Sequence, residues 1–244
     1  MKTLKRFAGI AAVCVVLCTS VAVHARVDTV RLQSKLVNAT LPYNVILPPD
    51  YDTGRPTRYP VLYLLHGLTG HYSDWLAKTN VAHYAAQYRI IIVMPEGNDG
   101  WYIDSATSAT DKYESYILQE LLPDVQQRYR TIEARYARAI AGLSMGGYGA
   151  IKFGLKSPQT FVFAASTSGA FGVTRWAEKD IPPSWLKSLQ AYGSADSDTR
   201  QANDLFEIIR KYPAARISSL PYFYFDCGTE DSPLIFPYNR ELAV

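Results

Sequence analysis

The stretch "AIAGLSMGGYGA", residues 139–150, decides the fold, because it joins an apolar run to a glycine-rich run through one serine. The preceding residues are typical of a buried strand, and those that follow predict a helix that ends near Pro158. So sharp a strand-to-helix turn strains the backbone of the serine and leaves no room for side chains at Gly142 and Gly146. The pattern therefore predicts that Ser144 lies on a tight turn at the start of a helix.

A serine in this position has a chemical use. Its hydroxyl becomes a nucleophile when a neighbouring base removes the proton. The free N–H groups of the first helical turn favour negative charge beside it. We therefore predict that Ser144 is a catalytic nucleophile; the alternative is an ordinary turn serine.

Other segments of the chain alternate between strand and helix patterns. Apolar runs typical of strands buried on both faces of a mainly parallel sheet occupy residues 59–67, 88–97, 137–144, 161–169 and 221–228. Residues 41–52 predict an earlier antiparallel strand. The alternation with helices predicts one doubly wound α/β domain.

Three further features refine this organisation. Residues 113–130 have helical spacing, and Pro123 should kink or split that helix. A second helix within residues 203–213 has Asn203 or Asp204 as its cap. The irregular segment at about 171–200 predicts a functional loop or a small cap.

The first 25 residues predict a signal peptide, with a basic start, an apolar run and "VHA" at its end. The mature domain is then residues 26–244, located outside the cytoplasm as a secreted or periplasmic protein. Loss of three basic residues leaves 22 basic against 22 acidic residues. This balance argues against a nucleic-acid partner, and we expect no stable membrane insertion after the signal is removed.

Cysteine is scarce in the predicted mature chain. Cys14 and Cys18 belong to the signal segment, so Cys227 alone remains. One cysteine forms no internal disulfide. Because its neighbours are apolar, we predict that Cys227 is a buried core thiol.

The motif "LLHGLTG", residues 64–70, ends a predicted strand with a glycine-containing loop. In α/β-hydrolases such a loop donates one backbone N–H to the oxyanion hole, and the residue after the nucleophile donates the other. We assign these donors to Leu68 and Met145. His66 is interpreted as a histidine that anchors the loop rather than as the base.

In α/β-hydrolases the acid of the catalytic triad follows the serine in the chain, and the histidine comes last. The segment "FDCGTEDSP", residues 225–233, comes directly after a late predicted strand. Asp231 is the first candidate, and Asp226 and Glu230 are the alternatives. Any of the three could instead be a solvated loop charge.

Four motifs together resemble the esterase D family of α/β-hydrolases. They are "LHGLTGHYSDW", "IIVMPEGNDGWY", "AGLSMGGYGAI" and "DCGTED", in that order between about residue 40 and residue 244. The family includes S-formylglutathione hydrolases, feruloyl and acetyl-xylan esterases, and mycolyltransferase-like proteins. The resemblance implies an α/β-hydrolase fold and hydrolysis of carboxylic esters by a Ser-Asp-His triad, without a cofactor or metal.

The resemblance also assigns roles to residues. It implies that Ser144 is the nucleophile, Asp231 the acid, and Leu68 and Met145 the oxyanion donors. The segment that contains Asn98, Asp99 and Trp101 is similar to the pocket wall of the family. These three residues are therefore candidates for contact with the substrate. Their alternative interpretation is a polar turn with one buried aromatic side chain.

The sequence departs from the family pattern because no histidine follows the acid. The four histidines are His24, in the signal segment, and His66, His71 and His83, which all precede Ser144. We expect the sequence to be a fragment that lacks the last strand, the histidine loop and the closing helix. The alternatives are that His71 or His83 acts as base, or that the protein is a non-catalytic binder.

These inferences combine into one functional prediction. The protein is an exported serine esterase that forms an acyl-enzyme, with polysaccharide-linked feruloyl or acetyl esters as candidate substrates. An S-formylglutathione hydrolase-like thioesterase, an acyltransferase and a ligand-binding pseudoenzyme remain as alternatives. The oligomeric state is not predicted. Without the histidine, we expect the 244-residue chain to be nearly inactive and, with an uncovered sheet edge, poorly soluble.

Overall fold

The computed structural model describes residues 25–54 and 56–244. The predicted signal peptide lies outside the described residues, apart from Ala25. The described chain forms a seven-stranded sheet in the order β1-β2-β4-β3-β5-β6-β7. Its strands are β1 (Arg26–Ser34), β2 (Ala39–Leu47), β3 (Val61–Leu65), β4 (Ile91–Pro95), β5 (Arg138–Leu143), β6 (Phe163–Thr167) and β7 (Tyr222–Asp226).

The sheet is parallel from β4 to β7 and antiparallel at its other side. β1 and β2 form a hairpin, and β2 pairs antiparallel with β4. In the parallel part, Leu65 of β3 lies opposite Gly142 of β5, and Gly142 lies opposite Ser166 of β6. The carboxyl ends of these strands therefore meet at one edge, where ligand sites form in such sheets. The predicted mainly parallel α/β fold is confirmed, whereas β1 was not predicted.

Helices connect the strands and cover the sheet. They are α1 (Asp74–Lys78), α2 (Val81–Tyr88), α3 (Tyr113–Ser115), α4 (Leu122–Arg128), α5 (Met145–Lys156), α6 (Pro183–Leu189), α7 (Asp198–Ala202), α8 (Leu205–Arg210) and α9 (Phe236–Leu242). A π-helical segment, Tyr116–Leu121, joins α3 to α4, so the helical path changes just before Pro123, which lacks an N–H. As predicted for one of two candidates, Asp204 caps α8 by accepting from the Glu207 N–H at 2.9 Å.

The segment after β6 contains only short helical elements. Single turns at Val173–Arg175, Glu178–Asp180 and Gln190–Tyr192 flank α6. An aromatic cluster fixes this cap segment to the domain, because Trp176 packs edge-on against the ring of Trp101 at 5.8 Å. The buried ring of Tyr192 lies 6.1 Å from Trp101 as well.

The last strand differs from its prediction. β7 lies at the edge of the described sheet and pairs with β6 alone. Tyr222 and Tyr224 are therefore 72% and 50% exposed, whereas the apolar run predicted a strand buried on both faces. The side chains of Phe223 and Phe225 point the other way and line an apolar groove of about 350 Å³.

A buried ion pair fixes α5 to the helix before α4. The Nζ atom of Lys152 is fully buried and donates to Glu114 at 2.6 Å and to the Tyr102 carbonyl at 2.5 Å. Lys156 contacts the same carboxylate at 2.8 Å. Burial alone would raise the pKa of Glu114, but the two ammonium groups hold it at about 2. Burial likewise lowers the pKa of Lys152 to about 8.

This pair predicts a specific sensitivity to acid. Because the pKa of Glu114 is about 2 in the folded protein against an ordinary 4.5, its contribution is complete above pH 4.5 and is lost as the pH falls towards 2. We expect Glu114→Gln to cost about 3–5 kcal/mol at neutral pH, since Lys152 then stays buried without its anion. As the pH falls from 4.5 to 2, the free energy of unfolding should decrease by roughly 3 kcal/mol more in the wild type than in the variant. Urea unfolding across this pH range measures the difference.

The exposed pair of Glu133 with Arg58 provides the control. Glu133→Gln should change the free energy of unfolding by less than about 1 kcal/mol and leave its pH slope unchanged. Parallel pH slopes for the wild type and Glu114→Gln would contradict the assigned role of Glu114.

Candidate active site

Ser144 lies between β5 and α5 with the backbone conformation that the sequence predicts. Its φ is +56° and its ψ is −113°, a backbone conformation that residues other than glycine rarely adopt. Neighbouring backbone holds it there, because the Ser144 N–H donates to the Thr167 carbonyl and the Ala170 N–H donates to the Ser144 carbonyl. The serine is half-buried at the start of a twelve-residue helix. Its hydroxyl therefore lies where the helix N-terminus favours an anion.

Two glycines make this turn possible. A Cβ at Gly146 would lie 2.4 Å from the Leu65 carbonyl oxygen, and a Cβ at Gly142 would lie 2.4 Å from the Gly146 carbonyl group. Both distances are far below van der Waals contact, and in both cases the obstacle is backbone. The helix can therefore start beside the end of β3 only because these positions carry no side chain.

The loop after β3, which contains Gly67 and Leu68, lies next to Ser144. A Cβ at Gly67 would lie 3.5 Å from the Cβ of Ser144, so the loop passes directly beside this serine. The next residue is Leu68, whose N–H has no acceptor among the described residues. Met145 is the first residue of α5, and N–H groups of a first helical turn lack helical acceptors. The arrangement is compatible with the two predicted oxyanion donors.

Asp99 contacts this loop. Its Oδ1 accepts from the Thr69 N–H at 2.8 Å, directly after Leu68. Thr69 has a φ of +62°, which is unfavourable for a β-branched residue. The hydrogen bond therefore stabilises a strained loop conformation on which the direction of the Leu68 N–H depends.

We expect removal of this carboxylate to loosen the loop. Asp99→Ala should accelerate hydrogen exchange of the Thr69 amide by roughly tenfold, because a hydrogen bond to a charged group contributes about 1.5–3 kcal/mol. Asp99→Asn keeps an oxygen acceptor but loses the charge, so its exchange should be faster than that of the wild type and slower than that of Asp99→Ala. Equal exchange rates in both variants would contradict the stabilisation of the loop by the hydrogen bond between Asp99 and Thr69.

His66 connects the same loop to the turn after β4. It is buried, with Nδ1 2.8 Å from the Gly67 carbonyl oxygen, and its Nε2 accepts from the Gly97 N–H at 2.9 Å. The hydroxyl of Tyr102 donates to the His66 carbonyl at 3.1 Å. Both ring nitrogens are engaged, as expected for a histidine that anchors the loop.

Glu96 is a buried carboxylate that the sequence interpretation missed. It accepts from the N–H groups of Asn98 and Tyr72. Burial would raise the pKa of Glu96, but these backbone donors favour the charged carboxylate, and its pKa is lowered. Its position directly after β4, at the carboxyl edge of the sheet, is the sequence signal that could have identified it as a site residue.

The other two described histidines have other partners. The Nδ1 of His71 is 3.2 Å from Glu96, beyond the end of β4, which β3 separates from β5. His83 is exposed on α2, where its ring packs against Tyr84. Within the described ranges, no hydrogen bond joins a histidine to Ser144.

The predicted acid lies in the loop after β7. Asp231 is half-buried, and its Oδ1 accepts from the Ser232 N–H at 2.7 Å. Asp226 instead accepts from the Tyr224 hydroxyl on the exposed sheet edge, and Glu230 is exposed. The Ser168 N–H donates to the Asp226 carbonyl, so the loop after β6 connects this region to Ser144.

Cys227 is not the core thiol that its apolar neighbours predicted. It is half-buried, because it follows the edge strand β7 rather than a central one. Its Sγ lies 3.6 Å from Asp231 Oδ2, and partial burial raises the pKa of the thiol.

The three substrate-side candidates have different surroundings. Trp101 is 1% exposed and donates from Nε1 to the Ser188 hydroxyl, so its side chain lies in the core beneath the turn. Asn98 and Asp99 are exposed and line a polar cleft of about 420 Å³. The turn thus has the polar surface and the single buried indole of the alternative interpretation.

Within residues 25–54 and 56–244, no three His, Cys, Asp or Glu side chains converge so that they could hold a metal ion. No helix in the same part of the chain is both long and apolar enough to cross a membrane.

Known proteins resemble this chain in both sequence and fold. An acetyl esterase of Caldicellulosiruptor saccharolyticus is 26% identical over 87% of this chain and 83% of its own length. Esterase Rv1288 of Mycobacterium tuberculosis is 37% identical over 83% of this chain, but this match covers only 46% of that protein. The chain therefore spans about half the length of the mycobacterial relative.

A solved structure and a family model agree with these matches. The fluorophosphonate-binding serine hydrolase FphF of Staphylococcus aureus superposes with a TM-score of 0.76 at 25% identity, covering 90% of this chain and 85% of FphF. The model of the Esterase family matches residues 34–220, more than half of the chain. The chain therefore belongs to the Esterase family and has the α/β-hydrolase fold.

Proposed function

We propose that this protein is an exported serine esterase that cleaves carboxylic esters through an acyl-enzyme on Ser144. The observation that supports the proposal is the strained conformation of Ser144 at the start of α5, with the loop at Gly67 passing beside it. No cofactor takes part. Export rests on the signal-like segment at residues 1–25.

The proposed chemistry has two halves. The Ser144 hydroxyl attacks the ester carbonyl and loses its proton, and the N–H groups of Leu68 and Met145 stabilise the oxyanion. The alcohol leaves with a proton, and the acyl group remains on Ser144. Water then attacks the acyl-enzyme by the same route, releasing the acid and restoring the serine.

We infer that a base oriented by Asp231 accepts this proton. Both ring nitrogens of His66 are engaged, and the ring of His71 contacts Glu96. His83 is exposed on α2 and packs against Tyr84. The family resemblance implies a histidine that pairs with the acid.

The proposed substrates are acetyl or feruloyl esters attached to polysaccharides. The name of the Caldicellulosiruptor relative supports the acetyl group. Export supports a polymer-linked substrate, because S-formylglutathione belongs in the cytosol. Secreted or periplasmic localisation is part of the same proposal.

A second candidate is a non-catalytic ligand-binding protein. It is favoured by one observation, that no histidine in the described ranges contacts Ser144. Added imidazole separates the two candidates, because it can act as the general base. For the esterase, p-nitrophenyl acetate hydrolysis should exceed the sum of the rates with imidazole alone and protein alone, and an acetyl group should be found on the Ser144 peptide. A purely additive rate and an unmodified peptide would contradict the esterase and support the non-catalytic binding protein.

A further inference from the structure

The loop after β6 lies against the turn that carries Ser144. A Cβ at Gly147 of α5 would lie 3.2 Å from the Cα of Gly169, so the loop packs directly on the first turns of that helix. The Ala170 N–H of the loop donates to the Ser144 carbonyl at 3.1 Å. The Tyr148 N–H donates to the same carbonyl at 2.9 Å, as in any α-helix. The Ser144 carbonyl is therefore held both by its own helix and by the loop.

The contact with the loop orients more than a carbonyl, because a peptide group is planar and trans. The Ser144 C=O and the Met145 N–H belong to one peptide group and point in opposite directions. The direction of the Ser144 carbonyl therefore sets the direction of the Met145 N–H, one of the two proposed oxyanion donors. The loop contains an equivalent pair, because the Gly169 C=O and the Ala170 N–H also belong to one peptide group.

Asn239 of α9 holds the carbonyl side of this loop peptide. Its side chain is 3% exposed, and its Nδ2 donates to the Gly169 carbonyl at 2.7 Å and to the Ile235 carbonyl at 3.0 Å. The Phe171 N–H also donates to the Gly169 carbonyl, at 2.8 Å, but it belongs to the same loop. Asn239 thus connects this carbonyl to a separate element of the fold.

The oxygen of the Asn239 amide indicates that the side chain serves as a donor. Its Oδ1 is buried and has no hydrogen-bond partner among the described residues. A buried acceptor without a partner is unfavourable, and an apolar side chain of similar size would avoid this penalty. The amide cannot be reversed, since its oxygen would then face the carbonyl oxygens of Gly169 and Ile235.

We propose that Asn239 is a positioning residue for the oxyanion hole. It holds the peptide group that joins Gly169 to Ala170. That group holds the peptide group that joins Ser144 to Met145, and so directs the Met145 N–H. The catalytic consequence rests on the proposed esterase function, whereas the restraint on these peptide groups can be measured without an ester.

Hydrogen exchange of the Ala170 amide measures the restraint, with the amide of Val93, buried in β4, as the internal reference. In Asn239→Ala we expect Ala170 to exchange about tenfold faster relative to Val93, because a hydrogen bond that fixes its peptide group is lost. Asn203→Ala is the matched control, since Asn203 is 4% exposed and donates to the Thr199 carbonyl at 2.8 Å. It should leave the ratio of the two exchange rates unchanged.

Asn239→Asp separates donation from packing, because the two side chains have nearly the same shape. Burial between two carbonyl oxygens raises the pKa of the introduced carboxyl group, and only its protonated form can donate to the Gly169 carbonyl. The restraint should therefore be complete at low pH and be lost as the pH rises through the raised pKa. The exchange ratio of Ala170 to Val93 should increase about tenfold between about pH 4 and pH 9 in this variant, and stay constant in the wild type.

Imidazole-supported hydrolysis of p-nitrophenyl acetate tests the catalytic consequence. An oxyanion donor stabilises the transition state, so Asn239→Ala should lower the maximal rate at least about tenfold and leave KM unchanged. Asn203→Ala should keep both constants of the wild type.

An unchanged exchange ratio in Asn239→Ala would overturn the restraint. An increased ratio in Asn239→Ala without the pH dependence of Asn239→Asp would overturn it as well, because packing rather than donation would then hold the loop. A raised KM with an unchanged maximal rate would overturn the role in the oxyanion hole. If the exchange results are as expected but the wild type shows no imidazole-supported cleavage, the esterase is rejected and the restraint stands.

Discussion

We expect Ser144→Ala to abolish the imidazole-supported hydrolysis of p-nitrophenyl acetate by this chain. A general base contributes about 10²–10⁴-fold to such reactions, and added imidazole can replace it in part. Without the hydroxyl there is no group for the base to activate. The rate with imidazole should therefore fall to that of imidazole alone. The measurement is release of p-nitrophenol across a range of imidazole concentrations.

A serine outside the site provides the matched control for this substitution. Ser218 is exposed in the turn before β7, and Ser218→Ala should keep the full imidazole-dependent rate. Thermal unfolding should be the same for both variants, since neither removes a core contact. An imidazole-dependent excess that survives in Ser144→Ala would refute Ser144 as the nucleophile.

The second large effect is expected from Gly146→Ala. The added methyl group would lie 2.4 Å from the Leu65 carbonyl oxygen and 2.6 Å from that of His66. Neither backbone atom can rotate away, so the start of α5 must move. We expect a loss of at least about 3 kcal/mol, which lowers the unfolding temperature of a domain of this size by roughly 6–12 °C. The imidazole-supported hydrolysis should be lost as well, because the turn no longer holds the geometry of Ser144.

Gly228 provides the control for the glycine substitution. It lies in the loop after β7, and a Cβ there would meet no atom within 4 Å. Gly228→Ala should leave the unfolding temperature unchanged or raise it slightly, because it restricts the unfolded chain. If both alanine variants unfold at the same temperature, the close approach at Gly146 has no energetic weight.

Local patterns were sufficient for the elements of the fold. The apolar runs predicted β3 to β6, and the serine between a strand and a helix pattern predicted the turn at Ser144. These predictions succeeded because periodicity, glycine spacing and proline breaks are properties of adjacent residues. They were wrong where the position of a strand in the sheet matters. β7 was predicted to be buried on both faces, and Cys227 after it to be a core thiol, but an edge strand leaves both partly exposed.

The sequence by itself determined the class of fold, the turn at Ser144 and the loop that approaches it. Only the tertiary structure decided which side chains support them. The contact of Asp99 with Thr69 spans 30 residues, and that of His66 with Gly97 spans 31. The pair of Lys152 with Glu114 spans 38. Such contacts depend on which strands become neighbours, and lateral strand order is a property of the whole packed sheet rather than of any segment.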